Sequence, residues 1–225
     1  MKLKTGKSLW PGGSRRDKRY SAARTFFDVD YYLDQNPDLL NADIEPFDHY
    51  MNYGWIEGRK PCLLFDTSWY LQTYADVSAS GANPFLHYVT AGVFEGRIPH
   101  PLLDLDYFLG PERDVQTNPL DVWLQRREEK DVSISPLFKS AWYRKKYGLA
   151  DSLNALEHYL TKGARAGFDP HPVFNSLHYR NNNPDYDVHY QDPLAHFIHI
   201  GWKNGETPNP LFDIKFYLDE NPDIE

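Results

Sequence analysis

The chain has 225 residues, with 24 Lys and Arg against 32 Asp and Glu, a net charge of −8 and a single cysteine, Cys62. One cysteine excludes an internal disulfide framework, and no apolar run approaches the roughly 18 residues of a membrane-spanning helix or supplies a secretory signal, so the cytoplasm is the expected compartment. Residues 1–25 hold eight of the basic side chains and one acid, Asp17, which leaves the rest of the chain at −15, the wrong footprint for a nucleic-acid partner.

The basic segment, Lys2, Lys4, Lys7, Arg15, Arg16, Lys18, Arg19 and Arg24, also contains Pro11-Gly12-Gly13-Ser14 and few large apolar residues. It reads as a disordered tail over residues 1–25. Each basic residue near an anionic lipid surface contributes about 1 kcal/mol, which would let the tail touch the inner face of a membrane. A solvated arm is the simpler reading.

From Phe27 onward the sequence repeats about every 36 residues, the mark of stacked supersecondary units that bury their apolar faces against one another. Modules fall near 27–64, 65–102, 103–137, 138–173 and 174–211, and a partial sixth opens at Phe212-Asp213. The half-copy suggests a fragment of something longer, since a solenoid end normally carries a polar cap.

Each module starts with an apolar residue and a cap, Asp28, Asp66, Asp104, Asn175 or Asp213, ahead of a short aromatic helix. Asn36-Pro37-Asp38, Asn183-Pro184-Asp185 and Asn221-Pro222-Asp223 turn the chain. A second helix starts at Glu45-Pro46, Asn83-Pro84, Asn118-Pro119, Asn154-Ala155 and Asp192-Pro193. Its apolar residues, Phe47, Tyr50 and Met51 in the first copy, follow the i, i+3, i+4 spacing of a buried stripe. Gly54, Gly92, Gly163 and Gly201 stand where a left-handed C-cap is expected, and a second glycine follows four residues later. No stretch alternates with period two, so the expected fold is all-α, an α-solenoid-like array of short helices. The third copy lacks both glycines, with Arg127 and Asp131 in their places, and a longer helix is expected through Gln125–Lys130.

Phe-Asp-x-x-Tyr-Tyr-Leu-x-x-Asn-Pro-Asp, then Pro-x-x-His-Tyr-x-x-x-Gly-x-x-Glu-Gly-Arg, resembles the tandem helical repeats attached to bacterial glycosyltransferases and rhamnan-synthesis-type proteins of surface polysaccharide assembly. The resemblance spans about residues 26–225 and is closest in the first two copies, where Glu57-Gly58-Arg59 and Glu95-Gly96-Arg97 stand intact. It implies an association with polysaccharide biosynthesis and a transferase domain attached to the repeats. It supplies no catalytic residue.

The residues that could carry chemistry recur, and recurrence favours a structural role. Asp28-Val29-Asp30 and Asp104-Leu105-Asp106 match the Asp-x-Asp of metal-dependent glycosyltransferases, but each sits at a helix start with no strand before it. His49, His87, His158 and His196 share one module position, and equivalent positions lie too far apart to converge on a metal. They read as packing residues bonded to a backbone carbonyl. Glu57 with Arg59 and Glu95 with Arg97 read as ties from one module to the next. Trp55, Trp202, Tyr186 and Tyr190 depart from the recurrent aromatic positions and are the candidates for contact with a partner or glycan. No catalytic residue, cofactor or metal ligand is expected. The reading is a non-catalytic repeat module that binds a protein partner, forms a homo-oligomer or positions an attached glycosyltransferase. The alternatives are a glycan-binding array and a segment with transferase activity of its own.

Overall fold

The computed structural model describes residues 15–221 apart from positions 115, 189 and 191, and among the described residues helices are the only regular elements. Extended pairing is limited to two isolated bridges in the linkers, Cys62 with Phe65 and Asn209 with Phe212.

The first helix of each module starts where its cap demands. The side-chain oxygens of Asp28, Asp66, Asp104, Asn175 and Asp213 accept from the backbone N–H three residues on, at 2.8–3.0 Å. Those caps begin the helices Val29–Gln35, Thr67–Thr73, Leu105–Leu109, Ser176–Asn182 and Ile214–Glu220. The fourth copy starts at Lys139 without a side-chain cap and runs over Ser140–Tyr147. The cap residue has a second duty. Its backbone N–H donates to the linker carbonyl at the far end of its own module: Asp28 to Pro61, Asp66 to Pro99, Asp104 to Ile134, Lys139 to Pro170 and Asn175 to Pro208, at 2.9–3.0 Å. Each module is thereby closed on itself before any neighbour is added.

The second helix is a composite. Pro46–His49 continues without a break as a π-helical turn over Tyr50–Gly54, and the same hand-over occurs at Pro84–His87 into Tyr88–Gly92, Ala155–His158 into Tyr159–Gly163 and Pro193–His196 into Phe197–Gly201. The expected left-handed cap at Gly54, Gly92, Gly163 and Gly201 is therefore displaced. Gly163, for example, stays helical at φ −64, and positive φ appears four residues later at Gly58, Gly96, Gly167 and Gly205. There Arg59 N–H donates to Gly54 O and Gly58 N–H to Trp55 O, the paired bonds of a Schellman ending, and the other three copies repeat them.

Two further expectations change. Residues Arg15–Phe26 are not tail but a helix that packs against Pro84–Gly92, with Ala23 fully buried and Tyr20 edge-on to Phe47 at 6.3 Å. Arg24 adds a cation over the Phe47 ring at 4.2 Å. Residues 1–14 lie outside the described residues. In the third copy the helix Pro119–Arg126 stops instead of running through to Lys130. The chain just past its end is held by the next module instead: Asn154 donates to Arg127 O and Glu129 O, and the Arg144 side chain and the Ala155 N–H donate to Lys130 O.

The core is a run of rings. Tyr32, Tyr50, Tyr70, Tyr88, Tyr143, Tyr159 and Tyr179 are all fully buried, with Phe65, Phe85 and Phe138 among them. Tyr32 meets Tyr50, Tyr70 meets Tyr88, Tyr143 meets Tyr159 and Tyr179 meets Phe197 edge to face at 5.6–5.9 Å, pairs worth about 0.5–1.5 kcal/mol each beyond their burial. Contacts also join modules that are not neighbours. His199 Nε2 lies 2.7 Å from the Pro101 carbonyl and its ring 5.6 Å from Trp69, bringing the fifth module onto the second.

Candidate functional site

The recurrent histidine is half of a buried pair. His49, His87, His158 and His196 place Nδ1 at 2.9, 3.1, 2.9 and 2.6 Å from the hydroxyls of Tyr32, Tyr70, Tyr143 and Tyr179. The partner is thus a tyrosine of the first helix and not the expected backbone carbonyl. The hydroxyl lies against the helical glycine, so that a Cβ at Gly54, Gly92, Gly163 or Gly201 would collide with it. Tyrosine, histidine and glycine form one steric and hydrogen-bonded unit.

The third module loses all three members together. Phe108 replaces the tyrosine, Val122 the histidine and Arg127 the glycine. Without a hydroxyl there is nothing for an imidazole to bind and nothing for a side chain to strike, which is why the three changes are compatible only as a set. In the four intact copies, burial pushes the Tyr32, Tyr70, Tyr143 and Tyr179 hydroxyls up and holds His87 and His158 below the ordinary histidine range. Both shifts move the pair away from proton exchange near neutrality, the opposite of what acid–base catalysis needs.

Arg59 and Arg97 form clasps within their modules. Arg97 donates through both Nη atoms to the carboxylate of Asp76 at 2.9 and 2.7 Å and through Nε to Glu95 at 2.6 Å, and Arg59 repeats this with Asp38 and Glu57. The expected tie between modules is made elsewhere, by Tyr50 Oη with Thr67 Oγ1 at 3.1 Å and by Tyr159 Oη donating to Asp192 at 2.9 Å. In the fifth module Glu206 replaces the arginine and accepts from Tyr179 Oη. Asp28 and Asp104 are spent as helix caps.

Of the four divergent aromatics, Tyr186 is buried, while Trp55 and Tyr190 are half-buried against the core and Trp202 is half-buried beside Lys203. They do not make one exposed face. Tyr190 instead stacks on His199 at 5.8 Å and borders a cavity of about 200 Å³ to which the first, second, fourth and fifth modules contribute. Sequence reasoning missed this cavity, because its walls come from different positions of different copies. Among the described residues no group of three or more His, Cys, Asp or Glu is placed to hold a metal ion, and no helix is long and apolar enough to cross a membrane.

Comparison with protein-family models, with curated proteins and with solved structures finds no match to this chain.

Proposed function

We propose that this chain is a non-catalytic scaffold, an α-solenoid-like array of closed modules that binds a protein partner or seats an attached glycosyltransferase in bacterial surface-polysaccharide assembly at the inner face of the membrane. The observation that carries it is the division of labour between side chains. The groups able to do chemistry are engaged in closing modules, whereas apolar side chains at the recurrent turns face solvent: Ile56 is 68% exposed, and Phe94, its equivalent in the next copy, 56%. Surface apolar groups repeated at one turn position suit contact with another protein. The fourth and fifth copies have Arg165 and Lys203 there, so the contact belongs to the first two modules.

The test has two arms. Sedimentation of the wild type and of the Ile56→Ser/Phe94→Ser double variant, alone and with a glycosyltransferase domain from the same polysaccharide system, should show an assembly that the variant loses at unchanged melting temperature. Turnover of sugar nucleotides by this chain, abolished by Asp28→Ala or Asp104→Ala, would overturn the scaffold reading in favour of catalysis.

A further inference from the structure

The fifth module departs from the other intact copies at one residue of its closing unit. The left-handed glycine is followed by Arg59 and Arg97 in the first two copies, by Phe168 in the fourth and by Glu206 in the fifth. A carboxylate therefore stands beside the buried tyrosine–histidine pair where two other copies have a cation. Glu206 Oε2 accepts from Tyr179 Oη and lies 3.4 Å from His196 Nδ1, while Nδ1 is 2.6 Å from Oη. Tyr179 is fully buried, and the His196 and Glu206 side chains are only 12% and 19% exposed, so water screens the three groups little.

A hydroxyl carries one proton, and here it is committed. Burial first, and then the bond to Glu206, push the Tyr179 hydroxyl up, so it keeps its proton and donates it to the carboxylate. His196 Nδ1 must then donate in the 2.6 Å contact with a proton of its own. In the other three intact modules no carboxylate competes for the tyrosine proton, which can go to Nδ1. There the surroundings also act the other way: burial, with Arg97 beside it, holds His87 down. Among the described residues, the groups facing the His196 ring from the elements packed on it are Tyr179, the Tyr186 and Tyr190 rings and Glu206. Arg180, over Tyr186, is spent on the Ala164 and Arg165 carbonyls, and Asp192 caps the helix one turn before His196.

We infer that the fifth module holds an acid-strengthened latch, in which a proton taken up by His196 turns the hydrogen-bonded triad into an imidazolium–glutamate ion pair bridged by Tyr179. With Nδ1 already protonated, the incoming proton goes to Nε2 and charges the ring. A carboxylate this close favours the charged ring, so His196 titrates higher in the folded chain than the roughly 6.5 of an unfolded histidine. Its stabilising contribution is fully present below about 6.5 and is lost as pH rises through the higher folded value. The latch lies one ring from the contact between distant modules: Tyr190 meets His196 at 5.6 Å and stacks at 5.8 Å on His199, whose Nε2 is 2.7 Å from the Pro101 carbonyl. The inference is independent of the scaffold reading, since the triad is internal to one module.

An NMR titration of the histidine Cε1–H signals in the full chain, with His196 assigned by its loss in His196→Gln, tests it. His196 should titrate at least about one pH unit above His87. Glu206→Gln should lower the His196 midpoint by about one unit, and Glu206→Arg, which restores the residue of the first two modules, should lower it further, with the His87 midpoint fixed in both. Nitrogen shifts at high pH should place the proton of the neutral ring on Nδ1 in His196 and on Nε2 in His87. The melting-temperature gap between wild type and Glu206→Gln should widen as pH falls from about 8 to about 6. A wild-type His196 midpoint at or below that of His87, a midpoint that neither Glu206 variant moves, or a neutral His196 ring protonated on Nε2 would each overturn the latch.

Discussion

Gly92→Ala separates two physical effects of opposite sign. Gly92 lies in helical backbone, where alanine is favoured over glycine by about 1 kcal/mol, so propensity alone makes the variant more stable. The added Cβ, however, would collide with Tyr70 Oη and would lie 3.5 Å from His87 Nδ1 and 3.4 Å from Tyr88 Cδ2. Tyr70 is fully buried, packed on Tyr74 at 4.6 Å and Tyr88 at 5.8 Å, so its ring cannot swing clear. The hydroxyl must leave its bond with His87, losing about 1 kcal/mol, and the crowding adds about 1–3 kcal/mol. The net expectation is a loss of about 1–3 kcal/mol, read from urea unfolding. Tyr70→Phe in the same protein removes the struck atom, so the double variant should be at least about 1 kcal/mol more stable than the sum of the single changes. A stabilised Gly92→Ala, or strict additivity with Tyr70→Phe, would refute the close-approach argument.

Tyr88 Oη is buried without a partner because the residue equivalent to Thr67 is Leu105; Tyr88→Phe should therefore leave stability unchanged or raise it by about 1 kcal/mol, whereas Tyr50→Phe, which removes the bond to Thr67 and leaves that hydroxyl only its bond to the Arg59 carbonyl, should lower it by about 1 kcal/mol. Deleting residues 15–26 should lower the melting temperature by several degrees, since it uncovers Phe47 and the face of Pro84–Gly92, and an unchanged value would show that this helix does not pack. Arg97 draws the Asp76 carboxyl down to about 2, so the pair stabilises the fold above the ordinary carboxylate range and loses that contribution as pH falls through about 2; carbon-detected NMR should find this value and see it rise in Arg97→Lys. His100 titrates near 3 when folded and near 6.5 when unfolded, so the unfolded chain binds the extra proton and stability falls as pH drops from about 6.5 toward 3, by about 1.4 kcal/mol per pH unit. His100→Gln should flatten that limb between pH 6 and 4 relative to wild type, and an unchanged slope would mean that His100 is not buried neutral.

What was legible in the chain was local. The caps at Asp28, Asp66 and Asn175, and the Asn83-Pro84 helix start, follow from one residue and its next three neighbours, and the structure has them where the pattern puts them. The glycines misled because glycine serves two ends. At Gly58 it supplies a left-handed backbone, at Gly54 it makes room for Tyr32 Oη, and both are spelled with the same letter. The discriminating signal was present in the third module, where Phe108, Val122 and Arg127 vary as a set while the cap at Asp104 does not. The stop at Arg126 and the packing of Arg15–Phe26 were not legible locally, because the bonds that decide them come from Asn154 and Arg144 in one case and from the second module in the other.

The same logic explains why the cavity escapes a reading by period. Repetition averages over copies, so it finds whatever each module needs in order to close, and it discards whatever only one copy supplies. Lys60 occupies a position held by Ile98 in the next module and by Asp169 in the fourth, while Tyr190 has no counterpart in any copy. These residues meet only because the chain brings its fifth module back onto its second, through His199 with Pro101 and Trp69. In a helical fold built this way the recurrent residues maintain the walls, and the single-copy residues at the return contact between His199, Pro101 and Trp69 give the enclosed space its chemistry.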